Sequence, residues 1–218
     1  MKKLLLFTML VVGCVSISSA QGVNFGVKAG VNLSSINGDY TDNNKAMVGF
    51  HVGALAEIGI TEKFFFQPEL LFSTQGAKIE ESEDFDDFGI GFGYGRKVKL
   101  NYINVPLMGK FYVTKGLNVE LGPQVGFLMS AKQKVSGSLG LVEFETEDDE
   151  DVKDRYKSID FGVNFGAGYK LNNGLFFNAR YNLGLANITD EDFENDVIDL
   201  EGVNTKNGVF QFSVGFIF

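Results

Sequence analysis

Eight stretches of this chain alternate apolar and polar residues one by one, and alternation with period two sends successive side chains to opposite faces of a strand. In the first, Val23, Phe25, Val27, Ala29, Val31 and Leu33 oppose Asn24, Gly26, Lys28, Gly30, Asn32 and Ser34. The second sets Val48, Phe50, Val52, Ala54, Ala56 and Ile58 against Gly49, His51, Gly53 and Glu57. The third opposes Phe64, Phe66, Leu70 and Phe72 to Gln67, Glu69, Ser73 and Gln75. The fourth is less regular: Ile103, Val105, Leu107 and Phe111 fall on one face, Tyr102, Asn104 and Lys110 on the other. In the fifth, Leu117 to Met129 by twos oppose Asn118, Glu120, Gln124 and Ser130, and the sixth sets Ile159, Phe161, Val163 and Phe165 against Asp160, Gly162, Asn164 and Gly166. The seventh, with Arg180 on its polar face, and the eighth, ending Phe210, Phe212, Val214, Phe216, Phe218, follow the same rule.

The joints between these stretches are of two kinds. Tight ones at 59–63, 113–116 and 171–174 alternate with long segments at 36–45, 80–97, 132–155 and 188–207. Of the 28 acidic residues, 23 lie in the long segments, against eight lysines and arginines there. This layout predicts an all-β fold: an eight-stranded antiparallel up-and-down barrel crossing a membrane, with short periplasmic turns and long acidic extracellular loops. A soluble barrel also alternates, so the polar face has to decide. Here it is glycine, asparagine, glutamine and serine with scattered charges, as a narrow lumen filled by side chains requires. Phe64, Phe66, Phe111, Tyr169 and Phe177 near the tight joints would form an aromatic girdle at one interface. Pro68, Pro106 and Pro123 sit inside strands, where each removes a ladder donor; bulges or lost pairings are expected there.

The N-terminus reads as a secretion signal: Lys2 and Lys3, an apolar run over 4–12, and Ser18-Ser19-Ala20 before Gln21. The expected division is a signal peptide at 1–20 and a barrel domain at 21–218. Cys14 in VVGC offers a second reading, lipidation at that residue in place of cleavage after Ala20. As the only cysteine it allows no intramolecular disulfide. No apolar run reaches 18 residues, so no transmembrane helix is predicted. With the signal removed, 17 basic residues face 28 acidic ones, and no basic patch suits a nucleic acid.

Several segments together resemble the small eight-stranded outer-membrane barrels known as porin-family or PorT-like proteins. They are FGVKAG at 25–30, QPELLFSTQG at 67–76, NYINVPL at 101–107, GPQVG at 122–126, FGVNFGAGY at 161–169, ARYNLGL at 179–185 and the terminal Phe218. The resemblance implies an outer-membrane location and a barrel of this size, and it carries over no activity or site residue. A C-terminal phenylalanine of this kind resembles the signal by which the barrel-insertion machinery recognises its clients, so that machinery and the lipid bilayer are expected partners. A monomer is expected.

Buried charge must be paired. Lys28, His51, Glu57, Glu69, Lys110, Glu120, Asp160 and Arg180 fall on the inward face and are expected to form a structural network plugging the lumen. The rival reading is a proton or ion path. His51 is the only histidine, and nothing in the sequence marks partners for a metal site or a Ser–His–Asp triad. No GxSxG, phosphate-loop or HExxH motif occurs, so no catalytic, cofactor-binding or metal residue is named, and no cofactor. The acids Glu80, Glu81, Glu83, Asp84, Asp86 and Asp87, seven more over 143–151, and Asp190 to Glu201 could gather divalent cations. The plainer reading is a solvated, partly disordered exterior. Function is then expected to be non-enzymatic: surface interaction, membrane integrity or accessory assembly. A small-solute or ion pore is the alternative, and a soluble periplasmic binding barrel a third.

Overall fold

The computed structural model describes residues 22–39, 41, 44–85, 90–139, 142–145, 150–190 and 202–218. Cys14 and the cleavage site lie outside them. The wall strands are β1 (Val23–Gly38), β2 (Asn44–Gly59), β3 (Phe64–Phe85), β4 (Ile90–Tyr112) and β5 (Leu117–Leu139). Two short strands follow, β6 (Val142–Glu145) and β7 (Glu150–Asp151), both paired to β5. The wall continues with β8 (Ile159–Lys170), β9 (Leu175–Gly184) and β10 (Thr205–Ile217). Neighbours pair antiparallel in chain order, β5 joins β8, and β10 pairs β1 from Gly26↔Ile217 to Gly38↔Thr205. Eight wall strands therefore close into a ring, with β6 and β7 paired to the extension of β5 beyond it.

The alternation sets the faces. Phe50, Phe127 and Phe212 are exposed and Val163 half-exposed on the outside, while Glu69, Lys110, Glu120 and Arg180 are buried. Near the tight joints Phe64 pairs with Phe111 and Tyr169 with Phe177, all four exposed. The prolines interrupt pairing without shifting register. The β3–β4 ladder stops at Pro68↔Leu107 and resumes at Leu71↔Asn104; β4–β5 stops at Pro106↔Gln124 and resumes at Gly109↔Leu121.

Two features depart from the sequence reading. First, much of the long segments is strand: β3 and β4 stay paired out to Phe85↔Ile90, and β5 runs to Leu139. Residues 80–85 and 90–97 are thus paired strand rather than loop, and the sequence alternation of Ile90, Phe92, Tyr94 and Arg96 runs through the second arm.

Second, the alternation changes phase. Tyr102 pairs with Leu128 but Asn101 pairs with Ser130, so Met129 is an extra residue in β5. Between Ala46↔Ala77 and His51↔Ser73, β2 likewise carries four residues against three in β3. Both bulges lie at one level, because His51, Ser73, Tyr102 and Leu128 form a row across four strands. A one-residue slip exchanges every side chain beyond it between faces. Ser130, expected inward, therefore faces out and accepts from Asn101 Nδ2 at 2.9 Å, while Ala131 is buried. Beyond this row Ile36, Ala77, Val98, Leu100 and Ala131 pack with Leu128 and with Val152 and Ile188 from the connections, beside buried polar side chains such as Ser34, Gln75, Thr205 and Asn207. Tyr156 packs against the same cluster, and burial pushes its hydroxyl pKa up from the ordinary value. The buried ion pairs lie toward the short-turn end of the barrel, and the larger apolar cluster toward the long-loop end.

Candidate functional site: the charged lumen

Glycine on the wall makes room for long charged side chains inside it. Lys28 on β1 has Gly53 and Gly215 as its register partners on either side. Gly166 on β8 stands between Glu120 on β5 and Arg180 on β9. A Cβ there would sit 2.5 Å from the Ala179 carbonyl oxygen and 3.2 Å from Arg180 Cβ. Its absence lets Arg180 cross β8 and donate from Nε to Glu120 Oε1 at 2.6 Å.

Arg180 also donates from Nη1 and Nη2 to Glu69 at 3.0 and 2.8 Å, a bidentate fork. Lys28 Nζ lies 2.7 Å from the same carboxylate. Two cations and two anions, all at most 4% exposed, thus form one neutral cluster. Toward the short turns, Glu57 accepts from Lys110 at 3.2 Å, from the Tyr112 hydroxyl at 2.9 Å, and from Lys170. Gln67 joins the two groups, accepting from Lys110 at 2.9 Å and donating to Glu69 at 2.6 Å. Lys110 also lies 5.7 Å from the Phe176 ring centre, and Phe176 packs with Leu55 and Ile217.

His51 and Asp160 stand apart from these clusters. His51 Nδ1 is 2.7 Å from Asn32 Oδ1 and Nε2 is 2.8 Å from Ser213 Oγ. The Asn32 amide nitrogen is committed to Phe50 O, Ser73 Oγ and Thr74 O, so its oxygen can only accept. For a neutral imidazole the proton then sits on Nδ1, and Nε2 accepts from Ser213. Neighbouring strands do supply the partners that sequence reading did not find, and the order Ser–His–Asn has the connectivity of a nucleophile, base and orienting group. All three are buried, at 7%, 1% and 0% exposure, leaving no space for a substrate beside them. Asp160 accepts from Asn207 Nδ2 at 2.8 Å.

Sequence reasoning put Asn32, Gln67 and Lys170 on polar strand faces but left them out of the expected network, and it did not single out Tyr112, Ser213 or Asn207. All lie on the inward parity of their strands, so strand phase alone would have found them. The acids suggested for divalent cations at 80–87, 143–149 and 191–201 lie outside the described side chains. Among the described residues no three His, Cys, Asp or Glu side chains come together as a metal site.

Residues 18–190 match the family model described as outer membrane protein beta-barrel domain. No curated protein matches the chain by sequence. Among solved structures, Neisserial surface protein A is similar at 15% identity and a TM-score of 0.50, covering 91% of this chain and all of that one. Ail, the attachment invasion locus protein of Yersinia pestis, gives 12% identity and 0.44, covering 91% and 99%. OprG of Pseudomonas aeruginosa gives 14% and 0.39, covering 91% and 97%. A ring of eight strands, an apolar exterior and the family match over most of its length lead to one conclusion: the chain belongs to the outer membrane protein beta-barrel domain family and resides in the outer membrane.

Proposed function

We propose that this protein is a non-enzymatic, monomeric barrel with a closed lumen, its long-loop end at the cell surface and its short turns in the periplasm. It acts through that surface end, in interaction, membrane integrity or accessory assembly. One observation carries the reading: among the described residues, buried ion pairs cross the lower lumen and an apolar cluster crosses the upper part. The paired charges Lys28, Glu69, Glu120 and Arg180 cross-brace the lower lumen, and the apolar cluster around Leu100 and Ile188 closes the upper part. On this reading Lys28, His51, Glu57, Glu69, Lys110, Glu120, Asp160 and Arg180 hold the wall together and conduct nothing.

The alternative is a small-solute or ion pore, which the lumen charges favour. Planar-bilayer recording of the purified, folded protein separates the two. The closed barrel gives no steady single-channel current, and reproducible current steps would transfer the assignment to transport. For the surface role, deletion of the gene should alter outer-membrane permeability or the surface-protein profile.

A further inference from the structure

Among the described residues, Asp160 is the one buried carboxylate that no lysine or arginine meets. It lies on β8, 5% exposed. Its Oδ2 accepts from Asn207 Nδ2 at 2.8 Å, while its Oδ1 has no hydrogen-bond partner. The groups that adjoin the carboxylate are Asn207 and the Phe161 backbone amide, with no basic side chain beside them. Taking an ionised carboxylate out of water without a counter-charge is strongly unfavourable.

Other unpaired atoms gather around it. Asn104 Oδ1 and Nδ2, Asn207 Oδ1 and the Tyr102 hydroxyl also make no hydrogen bond among the described residues. None of these three residues is more than 2% exposed. The register sets Asn104, Gly126 and Asp160 in one row across β4, β5 and β8. A Cβ on Gly126 would stand 2.8 Å from Asn104 Oδ1, 3.3 Å from Tyr102 Cδ1 and 3.6 Å from Asp160 Cβ. Glycine at that position thus leaves a notch in the wall, bordered by all three side chains. The Tyr102 hydroxyl in turn faces Asp160 and Asn207. Donation from Nδ2 to the carboxylate fixes the Asn207 amide with Oδ1 as its free acceptor. The Tyr102 ring belongs to the apolar cluster of Leu100, Leu128 and Ile188, which lies on the long-loop side of the notch.

Asp160 Oδ1, Asn104 Oδ1 and Asn207 Oδ1 can only accept, and a single water has too few protons to satisfy all three oxygens. A cation can meet them together with the lone pairs of the Tyr102 hydroxyl, and it supplies the missing positive charge. Every donor is oxygen, which selects hard cations over soft ones. One carboxylate balances one positive charge, whereas a divalent ion would leave an excess buried. We propose that Asp160, Asn104, Asn207 and Tyr102 form a binding site for a monovalent hard cation of the sodium kind. Such an ion ties β4, β8 and β10 together inside the barrel. With the apolar cluster on one side and the Arg180 brace on the other, it is held rather than passed.

The test uses the full-length mature protein refolded from urea into detergent micelles at about pH 8, where an ordinary carboxylate is ionised. Choline chloride is the only salt at first, and sodium chloride then replaces it at constant ionic strength. Stability is read as Tm by circular dichroism and binding as the sodium NMR line width. In the wild type Tm should rise and saturate with sodium, as with any ligand that binds only the folded state, and the line should broaden. D160N should raise the half-saturating sodium concentration roughly tenfold or more, because the charge of the ligands sets affinity. G126A keeps the carboxylate but places a methyl group in the notch, and it should weaken the response likewise. D154N removes an exposed acid away from the notch and should leave the response as it is. If D160N fails to fold, G126A and N104L are read in its place. No response in the wild type would mean that a neutral Asp160 and water account for these atoms, and the proposal falls. An unchanged response in folded D160N or G126A would put the ion elsewhere and overturn it equally. Calcium saturating the response at a lower concentration than sodium would overturn the monovalent assignment. Channel recording reports on conduction alone, so failure of the closed-barrel reading would be seen separately.

Discussion

Arg180 reaches across the barrel to Glu69, a residue 111 positions away in sequence and on the strand opposite its own, through two bonds of 3.0 and 2.8 Å. The fork spans the lumen from β9 to β3, and Nε extends it to Glu120 on β5. Three strands are thereby tied by one buried guanidinium.

Breaking this brace should be costly. Arg180→Ala leaves Glu69 and Glu120 buried with only Lys28 to compensate, and removing one member of a buried pair costs about 3–5 kcal/mol. Replacing the whole cluster together, as in K28M/E69Q/E120Q/R180M, should recover much of the loss. Urea titration followed by heat-modifiable gel mobility measures both; an Arg180→Ala barrel as stable as wild type would show that the brace contributes nothing.

The outward face offers a second measurement. Val163 is half-exposed at mid-wall, where β8 pairs with β5 and β9. Val163→Arg should destabilise folding by about 2–4 kcal/mol in a bilayer. Arginine in place of Lys97, on the paired extension beyond the bulge row, should be close to neutral. Equal effects at the two sites would contradict the placement of Val163 against the bilayer.

Most of the lower barrel was legible because one rule, period two, governs every strand there, and because inward charges such as Glu69 and Arg180 stand out against glycine and asparagine. The upper barrel was not. Met129 looks like the last member of an apolar series and Ser130 like its polar counterpart; only the β4–β5 register reveals the extra residue. A bulge costs the sequence one position and leaves no characteristic residue, so the alternation beyond it reads as noise. The same slip hid the apolar cap, since Ala131 and Gln133 then carry the inward phase. Pairings such as Arg180 with Glu120 depend on which strands adjoin β8, and parity alone does not provide them.

The bulge can be tested directly. Deleting Met129 should restore the phase and turn Lys132 and Lys134 into the cluster of Leu100, Leu128 and Ile188. Burying two unpaired ammonium groups among apolar side chains is strongly unfavourable. The long-loop end should then open while the lower barrel persists. Limited proteolysis would show new cleavage between 132 and 158, with heat-modifiable mobility retained. Protection equal to wild type would mean that the upper barrel does not depend on the phase change.

Closure of the ring is the last point of failure. β10 pairs β1 over thirteen residues and β9 over nine, and the Phe218 amide donates to the Phe25 carbonyl oxygen at 2.9 Å. Removing residues 211–218 strips β1 of its β10 partners from Gly26 to Asn32 and β9 of its β10 partners from Leu175 to Arg180. In a bilayer those backbone groups have no water to turn to, and each unsatisfied group costs several kcal/mol. The lumen loses Ser213, which satisfies His51 Nε2, and the exterior loses Phe212 and Phe216. Such losses cannot be confined to one edge, because an open sheet of seven strands exposes both the charged interior and two bare edges to lipid. The truncated chain should therefore fail to fold at all, appearing as periplasmic aggregate or degradation product. Outer-membrane fractionation with heat-modifiable mobility reads the result. A compact, protease-resistant barrel from the truncated chain would require a different closing pair from β1 and β10.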